Sequence, residues 1–204
     1  MAGTRTTAAA KPAKRADAQR NIAAIVDATV QCLGRDPDAS MSDIAAAAGV
    51  GRVTIYGHFP SRADLVDAAF VHAIDQGEAA LATLDLTDDP RQALARLIAS
   101  SWHLVEQSRS LLQAAQATLP PGRIRALHTR PAERVQNLLT RGQQDGVFRS
   151  DLPVSWLVSV LHSVLHGAAD EINAGRLSAG DAAASITTTV LAAFTAPGVP
   201  VPAG

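Results

Sequence analysis

His162, His166 and Asp170 follow one another at four-residue steps in a stretch that reads as one helix, which puts three potential ligands on one face. Zinc chemistry can use donors at that spacing. Hydrogen-bonded histidines in a cavity wall or a subunit contact fit the pattern as well, and His103 and His128 are not clustered with them in sequence. No nucleophile motif, glycine-rich phosphate loop or metal-spaced cysteine pair accompanies them. An all-helical enzyme is therefore not expected, and no metal or other cofactor is expected either.

The other chemistry on offer is charge. Arg5, Lys11, Lys14, Arg15 and Arg20 face only Asp17 in the first twenty residues. The whole chain has a net charge of −1, so any contact with nucleic acid must come from a local patch. Two readings of this start stay open: a solvated tail, or an arm that touches phosphates.

The elements that could position such contacts begin at Met41. Ile44, Ala45, Gly49, Val50 and Ile55 meet the needs of two short helices packed across a tight turn. Ala45 is the small residue facing the second helix, Gly49 relieves a left-handed backbone position, and Ile44, Val50 and Ile55 supply apolar contacts. Ser40 with Asp43, and Ser61 with Asp64, read as caps opening helices, and Pro60 forbids continuation between them. The string from Met41 to Phe59 thus reads as a helix-turn-helix.

Around it, the 204-residue chain is 47% hydrophobic and 18% charged, enough for a packed core, and only 3% aromatic. Abundant alanine and leucine with few aromatics favour helices over strands. The expected fold is all-α: an N-terminal three-helix helix-turn-helix domain followed by a C-terminal helical bundle, about nine helices in all. Periodicity predicts helices over residues 16–34, 40–47, 52–58, 61–84, 91–107, 109–117, 123–145, 153–174 and 178–194. The expected divisions are a flexible basic arm (1–15), a helix-turn-helix domain (16–62), a second domain (63–196) and a flexible tail (197–204). The uncharged stretch from Leu152 to Ala169 contains Pro153, three serines and two histidines, so it reads as a buried helix and no membrane association is expected. Cys32 stands alone, which excludes an internal disulfide and fits a reducing cytoplasm. No apolar run follows the basic start, so no secretory leader is expected.

Asp43-Ile44-Ala45, Ala48-Gly49-Val50, Thr54-Ile55-Tyr56-Gly57-His58-Phe59 and Ser61-Arg62 together resemble the N-terminal signature of the TetR, or tetracycline-repressor-like, transcriptional regulators. The likeness covers about Gln19 to Phe70. Gly51 departs from the serine that usually caps the second of the paired helices, and Gly57 stands where a bulkier residue is common. The resemblance implies that this second helix enters the major groove of operator DNA. Arg52 would then pair with guanine, Val53 would touch a thymine methyl, and Thr54 would bond a base or a phosphate. Tyr56 and His58 would bond phosphates, as would Ser42 and Arg62 at helix N-termini and Lys14 in the arm.

The same resemblance implies a homodimer on near-palindromic DNA, joined through the last two helices at Trp156, Val160, Ser163, Val164, Gly167, Ile186, Val190 and Phe194. It also implies a small-molecule effector cavity, for which Phe70, Trp102, Val105, Leu112, Leu127, His128, Val135, Leu138, Leu161 and His162 are the candidates. A repressor released by a small-molecule inducer is the leading reading. The alternative is a DNA-binding regulator without such a ligand, controlled by a protein partner or by abundance.

Overall fold

The computed structural model describes residues 10–198, with side chains described from residue 17 onward apart from residue 125. Among the described residues there are nine helices: α1 (Ala10–Arg35), α2 (Met41–Ala47), α3 (Arg52–His58), α4 (Arg62–Leu81), α5 (Pro90–Thr118), α6 (Pro121–Leu127), α7 (Thr129–Gln144), α8 (Val154–Asn173) and α9 (Ala179–Phe194). No strand forms among them, apart from an isolated antiparallel bridge between Phe148 and Thr195. The all-α expectation holds. No described helix is long and apolar enough to cross a membrane.

Three of the boundaries that differ from the sequence reading have a local reason. Helix α1 starts at Ala10 and runs through Gly34 to Arg35, so part of the expected arm is helical; residues 1–9 and 199–204 lie outside the described residues. Helix α5 is one helix of 29 residues where two were expected. Nothing between Gln107 and Arg109 is a glycine or proline, so the ladder continues. Pro90 opens α5 because a proline at the first helical position lacks only an N–H that would be unpaired anyway. The helix expected over 123–145 is instead split at His128, whose φ of −84° and ψ of 5° leave the helical region. Pro131 explains the split: it has no N–H to give the carbonyl four residues back, and its ring crowds that carbonyl.

The chain forms two compact units. The first comprises the described residues of Met1–Ala73 with Ser110–Pro120, and the second comprises Ile74–Arg109 with the described residues of Pro121–Gly204. The division therefore falls inside α4 and inside α5. In the first unit, Ile25, Val26, Met41, Ile44, Ala45, Ile55, Phe59 and Leu65 form one apolar cluster. In the second, Leu94, Leu97, Ile98 and Trp102 of α5 join Leu138 and Leu139 of α7, Leu157, Leu161 and Leu165 of α8, and Ile186, Val190 and Phe194 of α9. Each fully buried side chain of this size stabilises the folded chain by roughly 1.5–3 kcal/mol.

Candidate nucleic-acid interface

Ser40 caps α2 reciprocally. Its hydroxyl accepts from the Asp43 amide at 3.2 Å, and the Asp43 carboxylate accepts from the Ser40 amide at 2.9 Å. Those bonds from Ser40, side chain first and backbone second, hold the Asp43 carboxyl below its ordinary range. Helix α2 ends in a left-handed turn at Gly49, with φ of 68°. The Val50 amide donates to the Ala45 carbonyl at 2.9 Å and the Gly49 amide to the Ala46 carbonyl at 3.1 Å. This is a Schellman closure, and it points the chain into α3 at a fixed angle. Gly51 then caps α3 with extended geometry and no side-chain bond.

The seven residues of α3 separate cleanly by direction. Ile55 is 0% exposed and seals the first unit's core, with Phe59 just beyond the helix buried beside it. Val53 is 90% exposed, an apolar side chain left uncovered by the described residues. Arg52 and Tyr56 are exposed with it, whereas Thr54 and His58 are half-buried. Ser42, on the second residue of α2, is half-buried too. The Lys14 side chain lies outside the described residues.

Arg62 is placed differently from the phosphate contact expected of it. Its guanidinium donates to the carbonyls of Ala39 and, at 2.6 Å, Pro37. The first residue of α4 thus clamps the loop between α1 and α2. Its partners lie more than twenty residues back in sequence, so no local pattern could have announced them. Ser61 and Asp64 do form the expected cap of α4, with the Ser61 amide donating to Asp64 at 3.0 Å. Asp27 of α1 and His72 of α4 pair at 3.1 Å, a second tie within this unit that sequence reading did not name.

Three residues of the expected subunit contact are buried within the second unit. Ile186 is 2% exposed, and Val190 and Phe194 are 1% exposed, so all three are packed inside one chain and cannot form an outer face. The reason is that α9 has a single apolar stripe, and the unit's own core takes it. What α9 leaves outward is small: Ser185, Thr188, Thr189, Ala192 and Ala193. On α8 the expected residues do lie outward. Trp156 is 57% exposed, Ser163 and Gly167 are exposed, and Val160 and Val164 are half-buried. The Ser159 and Ser163 hydroxyls donate back to carbonyls one turn earlier, at 3.0 and 2.9 Å, so this face makes few polar demands of a partner.

The ten effector candidates fall in both units. Phe70 and Leu112 belong to the first. Trp102, Val135, Leu138 and Leu161 are core residues of the second, with Val105 packed partly against them. Leu127, His128 and His162 are half-buried. The Trp102 indole N–H is buried and has no hydrogen-bond partner among the described residues. Sequence reading picked Trp102 for its size and could not foresee that orphan donor. His162 and His166 share a helix face as their spacing implies, but no group of three or more His, Cys, Asp or Glu side chains among the described residues could hold a metal ion.

Residues 25–69, which contain α2 and α3 and the start of α4, match the family described as bacterial regulatory proteins, tetR family. The match covers these 45 of the chain's 204 residues. This is a family of DNA-binding transcriptional regulators and not of enzymes. Among similar proteins, the transcriptional repressor LfrR of Mycolicibacterium smegmatis is 41% identical over 83 residues, which is 41% of this chain and 44% of LfrR. The chain thus matches less than half of that relative's length by sequence. The transcriptional regulator NfxB of Pseudomonas aeruginosa is 27% identical over 151 residues, 72% of this chain and 80% of NfxB. The solved structure of LfrR from Mycobacterium smegmatis, in complex with proflavine, superposes with a TM-score of 0.64 and 26% identity over 84% of this chain and 94% of that one. SmeT, the repressor of the Stenotrophomonas maltophilia multidrug efflux pump SmeDEF, shares the fold, with a TM-score of 0.66 and 21% identity over 90% of this chain and 94% of SmeT.

Proposed function

We propose that this chain is a TetR-family transcriptional repressor that binds near-palindromic operator DNA as a homodimer and is released by a small-molecule inducer. The observation that carries the reading is the outward set on α3. Val53 is 90% exposed beside exposed Arg52 and Tyr56, on a helix whose inward residue, Ile55, is 0% exposed. An apolar side chain offered to solvent on a rigid seven-residue helix suits a thymine methyl, and an arginine beside it suits guanine O6 and N7. Tyr56 suits a phosphate, with Thr54, Ser42 and His58 at the margins and Lys14 of the arm as a further cation.

The outward face of α8, with Trp156, Val160, Ser163, Val164 and Gly167, supports a dimer built on this helix, joined by the small outward residues of α9. A helix-turn-helix dimer reads half-sites about one helical turn of DNA apart, roughly 34–36 Å. The buried, unpartnered Trp102 indole N–H supports an effector with a hydrogen-bond acceptor, held among Trp102, Val105, Leu127, His128 and His162. An inducer works only if it prefers the form that cannot hold the operator; equal affinity for both forms shifts nothing.

Selection of bound genomic DNA with the purified full chain tests the reading. A two-fold symmetric sequence should be recovered, and proflavine, the molecule held by LfrR, is the first effector probe to add to that complex. Recovery of no enriched sequence would overturn the operator reading. An enriched operator whose binding no effector probe weakens would point to control by a protein partner or by abundance.

A further inference from the structure

His128 stands at the junction of α6 and α7, and its ring is oriented by its own helix: Nδ1–H donates to the Ile124 carbonyl at 2.9 Å. Its ring meets the ring of His162 edge to face, with centroids 6.4 Å apart and planes at 75°. His166 follows one turn later on α8, and all three side chains are half-buried. The charged groups that bear on this cluster come from both elements. From the junction, His128 acts on His162 and on His166; from α8, His166 acts on His162, and Asp170 acts on His166. Asp170 supplies the opposing negative charge, at the far end of the set.

We propose that this histidine cluster is an acid-sensitive contact of the second unit, closed while His162 and His166 are neutral and opened when their protonation, beside the His128 ring, drives the α6–α7 junction away from α8. The contact is built to give way at that place. Helix α6 has only seven residues, most of them exposed, and Pro131 has already interrupted its continuity with α7. Little apolar burial holds it, which is the property of segments that open locally at low cost. Charge gained on the α8 rings therefore has a soft element to displace.

The direction of the pH dependence follows from the closed form. Burial first, then the charges on His128 and His166, push His162 below the usual imidazole value. Burial and His128 do the same to His166, with Asp170 partly offsetting them. The open form thus binds protons more tightly. Closure is fully favoured above the ordinary imidazole value of about 6.5 and is lost progressively as pH falls below it.

Two measurements on the full chain test this: NMR titration of the histidine rings, and amide hydrogen exchange of Ile124–His128 at pH 7.5 and 5.5, corrected for intrinsic exchange. The wild type should lose protection in acid by up to about tenfold per pH unit for each proton taken up. His128→Gln should lessen the excess loss and raise the midpoint of His162. Equal acid sensitivity in His128→Gln and wild type, or a His162 midpoint unmoved by that substitution, overturns the proposal. If His128→Gln does not fold, the wild-type titration decides alone: low, mutually dependent midpoints support the contact, and three independent midpoints at the ordinary value overturn it.

Discussion

Phe148 occupies the space that any side chain at position 142 would need: a Cβ built on Gly142 would stand 2.0 Å from Phe148 Cδ2. Phe148 is 1% exposed and has nowhere to move. Its amide and that of Val147 both donate to the Gly142 carbonyl at 2.9 Å, closing α7. Phe148 then bridges to Thr195, which fastens the turn after α7 to the end of α9. Gly142→Ala should therefore destabilise the second unit by about 1–3 kcal/mol, the usual cost of overpacking. Thermal melting reads the loss, and a melting temperature equal to that of the wild type would show that the ring yields.

Arg52 is assigned to the operator and to nothing in the fold. Arg52→Ala should leave the melting temperature unchanged and weaken specific binding by about 1–3 kcal/mol, relaxing preference at one base pair. Binding measured on the selected operator and on its single-base variants checks both parts. Equal affinity in the variant and the parent would sink the assignment.

Arg62 should behave in the opposite way. Removing its bonds to Pro37 and Ala39 should cost about 2 kcal/mol of stability, the order expected for charge-assisted hydrogen bonds. The salt dependence of operator binding should keep its slope, because a lost phosphate contact would lower that slope by about one. Arg62→Ala with a shallower slope and unchanged melting would restore the phosphate role.

Asp89 caps α5 and accepts from Arg91 three times: from the amide at 2.8 Å, from Nε at 3.2 Å and from Nη2 at 2.9 Å. The Arg91 side chain foremost, then its amide, lower the Asp89 carboxyl to about 2. A carboxyl lowered by folding stabilises above its unfolded value of about 3.9, and that contribution is lost as pH falls through about 2. NMR titration should find the low midpoint, and Arg91→Ala should return it toward the ordinary value.

Position 156 and position 190 separate assembly from folding. Trp156→Glu places a charge on the outward face of α8 and should give a folded monomer by sedimentation. Val190→Ala opens a cavity in the core and should cost about 1–3 kcal/mol while leaving the assembly state unchanged. A Trp156→Glu chain that sediments as the parent does would remove this face from the dimer.

Much of the first unit was legible because its determinants are local. Ser40 with Asp43, Gly49, and the spacing of Ala45, Val50 and Ile55 each act within a few residues, and together they locate α2, the turn and α3. The second unit was legible as helices but less so as faces. Periodicity marked Ile186, Val190 and Phe194 as one stripe, yet it could not say whether that stripe meets its own core or another chain. The break at His128 was present in the sequence as Pro131, and the apolar pattern on either side masked it. Contacts such as Arg134 with Glu78, at 2.9 Å across 56 residues of sequence, carry no local signal at all.

The side chains that hold α3 in place and those that α3 turns outward are different residues. Ile55 and Phe59 answer for the fold, whereas Arg52, Val53 and Tyr56 are free of it. Mutation can thus explore the outward positions without a folding penalty. Under the proposed reading, descendants of this chain could acquire new target sites while keeping the same scaffold, and a shared fold among such relatives would say little about shared genes under their control.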